Sequence, residues 1–296
     1  MTAADATLRA EDRPMATLDW SVLAALSLIW GASFLFMAIG LESFEPGLVT
    51  LLRVGFGAIT LLFIPAARVP VPRRAYPRIA LLGFTWMAFP LTLFPIAQQW
   101  IDSSVAGMLN SGMPLMATLF AWLAFSTPTG PRRLFGVSVG FIGILFISIP
   151  EASVAGTNAA GVALVLLAVS AYGLAVNIAG PLQREFGSLP VISRALGFAA
   201  LLCVPFGLVD GAGSSFSWSS LAACAAVGIG GTGVAYALAG LLTGRVGAVR
   251  MSIVTYLIPI VSIVLGVVFR DESVSGWAIP GTAIVLLGAF LSSRVD

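Results

Sequence analysis

The sequence contains no histidine and no lysine, only two cysteines, and charged residues at just 9% of its 296 positions. Each absence removes a class of activity. Cys203 and Cys224 stand apart inside apolar stretches with no Cys/His cluster beside them, so neither a zinc site nor a disulfide framework is indicated. No metal and no other cofactor is implied. There is no Walker-type phosphate loop, and nothing suggests that ATP powers the protein. A net charge of +2 is too small to point to nucleic acid as a partner. Soluble domains carry about 25% charged residues. With 9% charged and 58% hydrophobic residues, this chain would expose more apolar surface than water tolerates, so the lipid bilayer is its solvent.

What is present is a series of long apolar runs. A spanning helix needs about 20 mostly apolar residues. Cutting at charges, Gly/Pro turns and small polar clusters gives ten spans, at 20–39, 46–66, 77–97, 104–126, 133–149, 159–180, 189–209, 218–241, 247–269 and 274–293. The first eighteen residues are polar and mixed in charge and lack the small-residue cleavage site of a signal peptide. The run from Trp20 is therefore expected to remain as the first span.

The connections sort by charge. Twelve of the fifteen cations, all arginines, fall on one side: Arg9, Arg13, Arg68, Arg73, Arg74, Arg78, Arg132, Arg133, Arg184, Arg245, Arg250 and Arg294. The other side receives only Arg270, and Arg53 and Arg194 lie inside spans. Cytoplasmic loops hold the Lys/Arg excess, so both termini are expected in the cytoplasm. The expected place is a bacterial-type inner (plasma) membrane.

A shift of 145 residues lays Pro259 on Pro114, and Gly281 and Gly288 on Gly136 and Gly143. A slightly smaller shift pairs Gly31 with Gly173 and Arg53 with Arg194. The chain thus reads as an all-α polytopic protein of two five-helix halves. A tail (1–17) precedes the first repeat (18–149), a short extracytoplasmic connection (150–158) carries Glu151 and no arginine, and the second repeat (159–293) precedes the terminus (294–296). Five is odd, so the second half enters from the opposite face. Such inverted repeats place a substrate site between the halves near the midplane.

The stretch from Arg245 to Leu291, with its Val-Gly-Ala turn, Pro259, Glu272 and the glycines of the last helix, resembles the EamA-type exporters of the drug/metabolite transporter superfamily. Trp30-Gly31-Ala32-Ser33-Phe34, Arg53 and Pro114 carry the likeness into the first half. The resemblance covers nearly the whole chain and implies ten helices, cytoplasmic termini and a central cavity. Within the superfamily the sequence looks most like bacterial exporters of aromatic amino acids. It departs from the pattern where Thr127 stands opposite Glu272, at a position where the family commonly has a glutamate.

Candidate site residues follow from spacing and chemistry. Gly107, Ser111, Pro114 and Thr118 share one face of the fourth helix, and Ser252, Thr255, Pro259, Ser262 and Gly266 one face of the ninth. Asn110 and Tyr256 flank these stripes. Small residues and hydroxyls serve helix packing, but each proline also frees a backbone carbonyl, which suits a wet cavity. Trp30 and Ser33 in the first helix, and Ser170, Tyr172 and Asn177 in the sixth, either pack the core or form an aromatic, polar wall for an amphipathic solute. Pro90 and Pro95, with Gln98 and Gln99 beyond them, and Gly228, Gly230, Gly231 and Gly233 mark the third and eighth helices as candidate hinges, as Pro114 and Pro259 mark the fourth and ninth.

Arg53 and Arg194 each require a partner or water, because a centred arginine costs about 2.5–3.5 kcal/mol on insertion scales. Their inverted depths favour structural anchoring over a shared carboxylate site. All thirteen acids fall in termini, loops or span edges. Facilitated transport, or coupling to the substrate's own gradient, is therefore preferred to a proton relay. The function expected is export of a small-molecule substrate, an amphipathic metabolite such as an amino acid, aromatic ones first. A passive channel and a membrane-embedded enzyme are the rivals. The enzyme would need an acid–base or metal constellation at depth that the sequence does not supply.

Overall fold

The computed structural model describes residues 15–126, 130–153, 158–251 and 253–293. Thr127, Ser252, Arg9, Arg13 and Arg294 lie outside them, as do the side chain of Glu151 and part of the 150–158 connection. The described residues form helices joined by short turns, with no strand among them.

The described residues form ten helical rods. They are α1 (Thr17–Gly40), α2 (Pro46–Leu62), α3 (Arg73–Ala97), α4 in two pieces (Ser103–Asn110 and Met113–Leu123), α5 (Pro131–Ser153), α6 (Asn158–Phe186), α7 (Ser188–Gly213), α8 (Trp218–Gly247), α9 (Ile253–Arg270) and α10 (Ala278–Ser293). Seven of them are long and apolar enough to cross a membrane. Two of the remaining three, α2 and α4, are short for visible reasons. α2 ends at Leu62 because Pro65 opens a 3₁₀ turn soon after. α4 is not the continuous helix the spacing implies. Pro114 cannot donate to the carbonyl of Asn110, and the chain turns at Ser111 and Gly112 before the helix resumes. In α9, by contrast, the helix runs on through Pro259.

Two rods contain π-helical segments, Gly83–Ala88 in α3 and Ala226–Val234 in α8. In α3 the segment stands just before Pro90, whose missing N–H leaves a carbonyl that the wider turn absorbs. In α8 it coincides with Gly228, Gly230, Gly231 and Gly233. The π-segment of α8 thus covers that helix's glycine cluster, and the one in α3 ends just before Pro90, while Pro95 lies in regular helix beyond it.

Small residues set the closest packing. α5 and α10 meet through Gly136, Gly140 and Gly143 against Gly281, Gly288 and Ser292. A side chain at Gly143 would sit 2.5 Å from the backbone nitrogen of Val285. Such backbone approach replaces the hydrophobic effect as the source of cohesion in lipid. Gly31 of α1 lies against Val261 of α9, and Gly173 of α6 against Met116 and Ala117 of α4. α2 packs on α7 and on the π-segment of α8, while α7 packs on the π-segment of α3.

Candidate functional site

The π-segment of α8 organises the centre of the bundle. Its wide turn lets Thr232 Oγ1 donate to the carbonyl of Val227, five residues back, at 3.0 Å. Thr232 Oγ1 also accepts from Arg53 Nε of α2 at 3.3 Å. The carbonyl of Gly231 accepts from Trp30 Nε1 of α1 at 3.1 Å. One residue pair of the bulge therefore holds both the aromatic and the cationic candidates of the first half. Gly57 and Gly228 permit this approach, because a Cβ at either would lie 2.7 Å from Thr232 or Phe56 across the α2–α8 contact.

Around this hub the aromatic rings form two runs. Tyr236 of α8 makes edge contacts with Trp30 at 6.1 Å and Trp86 of α3 at 5.7 Å. Tyr172 of α6 meets Phe94 of α3 at 5.9 Å, and Phe94 meets Phe34 of α1 at 5.5 Å. Trp30, Trp86, Tyr172 and Tyr236 are each half-buried.

Arg53 is 8% exposed and, among the described residues, bonded to neutral groups only, Thr232 and the sulfur of Met37 at 3.0 Å. No carboxylate lies within ion-pair distance of it among the described residues. Arg194 is placed quite differently, near the end of the bundle, where it donates to the carbonyls of Pro190, Ala67 and Val69.

The remaining candidates divide. Ser33 donates to the carbonyl of Ile29 and sits against Gly231. Ser111 is buried and donates to the carbonyl of Met108. Asn177 uses its amide to bridge the carbonyls of Ala117 and Gly173, tying α6 to α4. Ser170 bonds back to Leu166. Asn110 Oδ1, beside the break in α4, is buried without a partner among the described residues. Thr255 and Tyr256 are half-buried on α9. Gly107 is packed hard against Ser262, and Gly266 against the Glu272 carboxylate and then Ser104, so this part of the paired stripes is contact surface. Gly230 alone in its cluster has open space where a side chain would be. Pro95 lies within α3 and Pro259 is buried in α9.

At the end bearing Arg270, one carboxylate joins α4 to α9. Glu272 Oε1 accepts from the backbone N–H and hydroxyl of Ser103 at 3.0 and 2.7 Å, and Oε2 from the N–H of Ser104 at 2.9 Å. These donors are otherwise orphaned at the start of a helix, where the macrodipole also favours an anion. Arg270 approaches Glu272 at 3.8 Å and pairs with Glu42 at 2.7 Å. Asp102 sits beside this cluster, its carboxyl held above the usual aspartate range by burial first and by repulsion from Glu272 second, with Arg270 opposing both. At that same end the first piece of α4 packs on α9. The second piece, Met113–Leu123, packs chiefly on α6 instead.

Glu272, Thr232, Trp86 and Tyr236 are absent from the sequence-derived site. The pairing of Glu272 with Thr127 in the repeat was a signal for the first. The others depend on helix rotation inside π-turns, which periodicity does not encode.

Comparison with known proteins now adds a decisive observation. The model of the EamA-like transporter family matches this chain twice, at residues 20–149 and again at 159–294. The chain belongs to the EamA-like transporter family. Its relatives include the uncharacterized transporter YoaV of Bacillus subtilis, 21% identical over 92% of this chain and 95% of that protein. Another is the probable amino-acid metabolite efflux pump of Escherichia coli K12, 21% identical over 94% of this chain and 95% of the relative. A solved structure described only as a crystal structure of a protein shares the fold, with a TM-score of 0.63 at 19% identity over 98% of this chain and 97% of that one. EamA-like membership and the long apolar helices together make this a multi-pass membrane transporter.

Proposed function

We propose that this transporter exports small amphipathic metabolites, amino acids and aromatic ones first, by alternating access between two inverted five-helix halves. The observation carrying this reading is the asymmetric contact of α4 with α9. They are packed and latched by Glu272 at one end, while the rest of α4 leaves for α6. An arrangement closed at one end and divided at the other is what a carrier adopts when it faces one compartment. The paired contacts of Gly31 on α9 and Gly173 on α4 support the repeat, as does the double match of one family model. The arginine counts support a latched end outside the cell and termini in the cytoplasm.

The half-buried Trp30, Trp86, Tyr172 and Tyr236 suit an aromatic side chain. The unpaired acceptor of Asn110 offers a partner to an ammonium group. Arg53, tied to Thr232 and Met37, serves as an anchor between α1, α2 and α8. The amino-acid efflux relative supports the substrate class. Substrate-panel uptake into proteoliposomes tests the proposal. Saturable flux of phenylalanine, tyrosine or tryptophan is expected. Flux that rises linearly with concentration for every solute would replace the carrier with a channel, and saturable flux confined to other metabolites would discard the amino-acid assignment.

A further inference from the structure

The arginine-rich end of the bundle holds an open, groove-like cavity away from the proposed transport site. It has a volume of about 480 Å³ and lies where the end of α2 and the start of α3 meet α7, with Arg68, Arg194, Ser193 and Tyr76 among its lining residues. Three features of these groups point one way.

The first is charge. Neither Arg68 nor Arg194 has a carboxylate within 4.0 Å among the described residues. Arg73, Arg74, Arg78 and Arg184 stand at the same end, where among the described residues Glu185 pairs with Arg74 and Asp19 with Arg245. The second is unused donor capacity. Arg194 gives Nη1 and one Nη2 hydrogen to backbone carbonyls at 2.9 Å (Pro190) and 2.8 Å (Val69), which fixes the guanidinium and leaves Nε–H without a protein acceptor among the described residues. Among the described residues Arg68 gives only Nε, to the carbonyl of Leu62, and both terminal nitrogens keep their hydrogens. Ser193 makes no bond to the carbonyl four residues back, unlike Ser27, Ser33 and Ser170 in their helices. Every polar side chain lining the cavity can therefore donate, and two are cations. That is the complement of a phosphate.

The third feature is the wall. Leu62 is 57% exposed and Leu201 70% exposed, and both join the cavity to the apolar outer surface of the bundle. Tyr76 packs edge-on against Phe198 at 6.0 Å, at the depth where tyrosine meets headgroups. A free anion would leave this apolar wall unused, whereas an acyl chain would cover it.

We propose that this cavity binds one anionic phospholipid, its phosphate on Arg68, Arg194 and Ser193 and an acyl chain along Leu62 and Leu201. Anionic lipid enriches the cytoplasmic leaflet, where basic pockets between helices bind such headgroups. A zwitterionic lipid brings a choline cation toward the two arginines and binds less well.

The test uses the full chain purified in detergent, titrated separately with phosphatidylglycerol, phosphatidylcholine and inorganic phosphate. Thermal unfolding and native mass spectrometry provide the readouts. Saturable stabilisation by phosphatidylglycerol is expected, with one lipid retained and phosphatidylcholine at least about fivefold weaker. Arg68→Gln should weaken phosphatidylglycerol about tenfold, and Arg132→Gln, at the same end but outside the cavity, should not. Arg194→Gln also releases the carbonyls of Ala67 and Val69, so Leu201→Trp, which fills the apolar mouth and spares both arginines, serves as the second variant and should likewise lose the lipid. Equal stabilisation by the two lipids, or an unchanged response in both Arg68→Gln and Leu201→Trp, would overturn the proposal. Stabilisation by phosphate equal to that by phosphatidylglycerol would overturn the lipid in favour of a free-anion site.

Discussion

Removing one oxygen charge from Glu272 should open the latched end. The carboxylate receives two bonds from Ser103 and one from Ser104, all between 2.7 and 3.0 Å. Its side chain is only 5% exposed, so water competes weakly. In Glu272→Gln the amide oxygen can keep the Ser103 bonds, but the amide nitrogen then faces the Ser104 N–H, donor against donor. Hydrogen bonds to a charged partner contribute about 1.5–3 kcal/mol, and a stranded buried donor costs about 1–3 kcal/mol. A net loss of about 2–3 kcal/mol shifts the closed-to-open ratio by roughly 30- to 150-fold. Ser104→Cys supplies the reporter, because the Ser104 hydroxyl is buried without a partner and gives up no bond. In a background lacking Cys203 and Cys224, an impermeant thiol reagent applied outside should label this cysteine slowly, and much faster once Glu272→Gln is added. Equal labelling rates in both backgrounds would refute the latch.

Three further outcomes are expected. Asp102 titrates above the ordinary aspartate range because it is buried beside Glu272. The folded state therefore binds its proton more tightly than the unfolded state does. The ionised group is thus a cost present above the raised folded pKa and gone below the unfolded value near 3.8. Asp102→Asn should accordingly raise the melting temperature at neutral pH, with the gain shrinking as the pH falls toward the ordinary carboxylate range. Gly228→Ala would place a methyl group 2.7 Å from Phe56 Cβ and 2.9 Å from the Arg53 carbonyl, an overpacking cost of about 1–3 kcal/mol. Gly230→Ala meets nothing within 4 Å and should melt near the wild type. Arg53→Ala should lower folded yield and thermal stability, while the protein that folds keeps near-normal substrate affinity. A stable variant with affinity down tenfold, about 1.4 kcal/mol, would make Arg53 a carboxylate ligand instead.

Much of the architecture is legible in the sequence because lipid imposes one rule on every segment. Backbone groups must be satisfied within the helix, so apolar length and charge breaks mark the rods with little ambiguity. The glycines at 31 and 173, picked out by internal repetition, both prove to be close-contact points. The break in α4 was half legible. Pro114 signals it, but the turn falls at Ser111 and Gly112. The π-segments were legible only as clusters of glycine and proline, since hydropathy carries no trace of a change from four- to five-residue bonding. That change rotates Thr232 toward Arg53 and Tyr236 between Trp30 and Trp86. Glu272 was visible as an asymmetry with Thr127, but its partners are backbone N–H groups, which have no sequence signature.

The most direct test of transport by alternating access is counterflow in proteoliposomes. Vesicles preloaded with unlabelled phenylalanine, then diluted into labelled phenylalanine, should accumulate label transiently and faster than empty vesicles, because a loaded carrier returns with cargo from either face. Identical entry of label into loaded and empty vesicles, at a rate proportional to its concentration, would contradict the carrier mechanism.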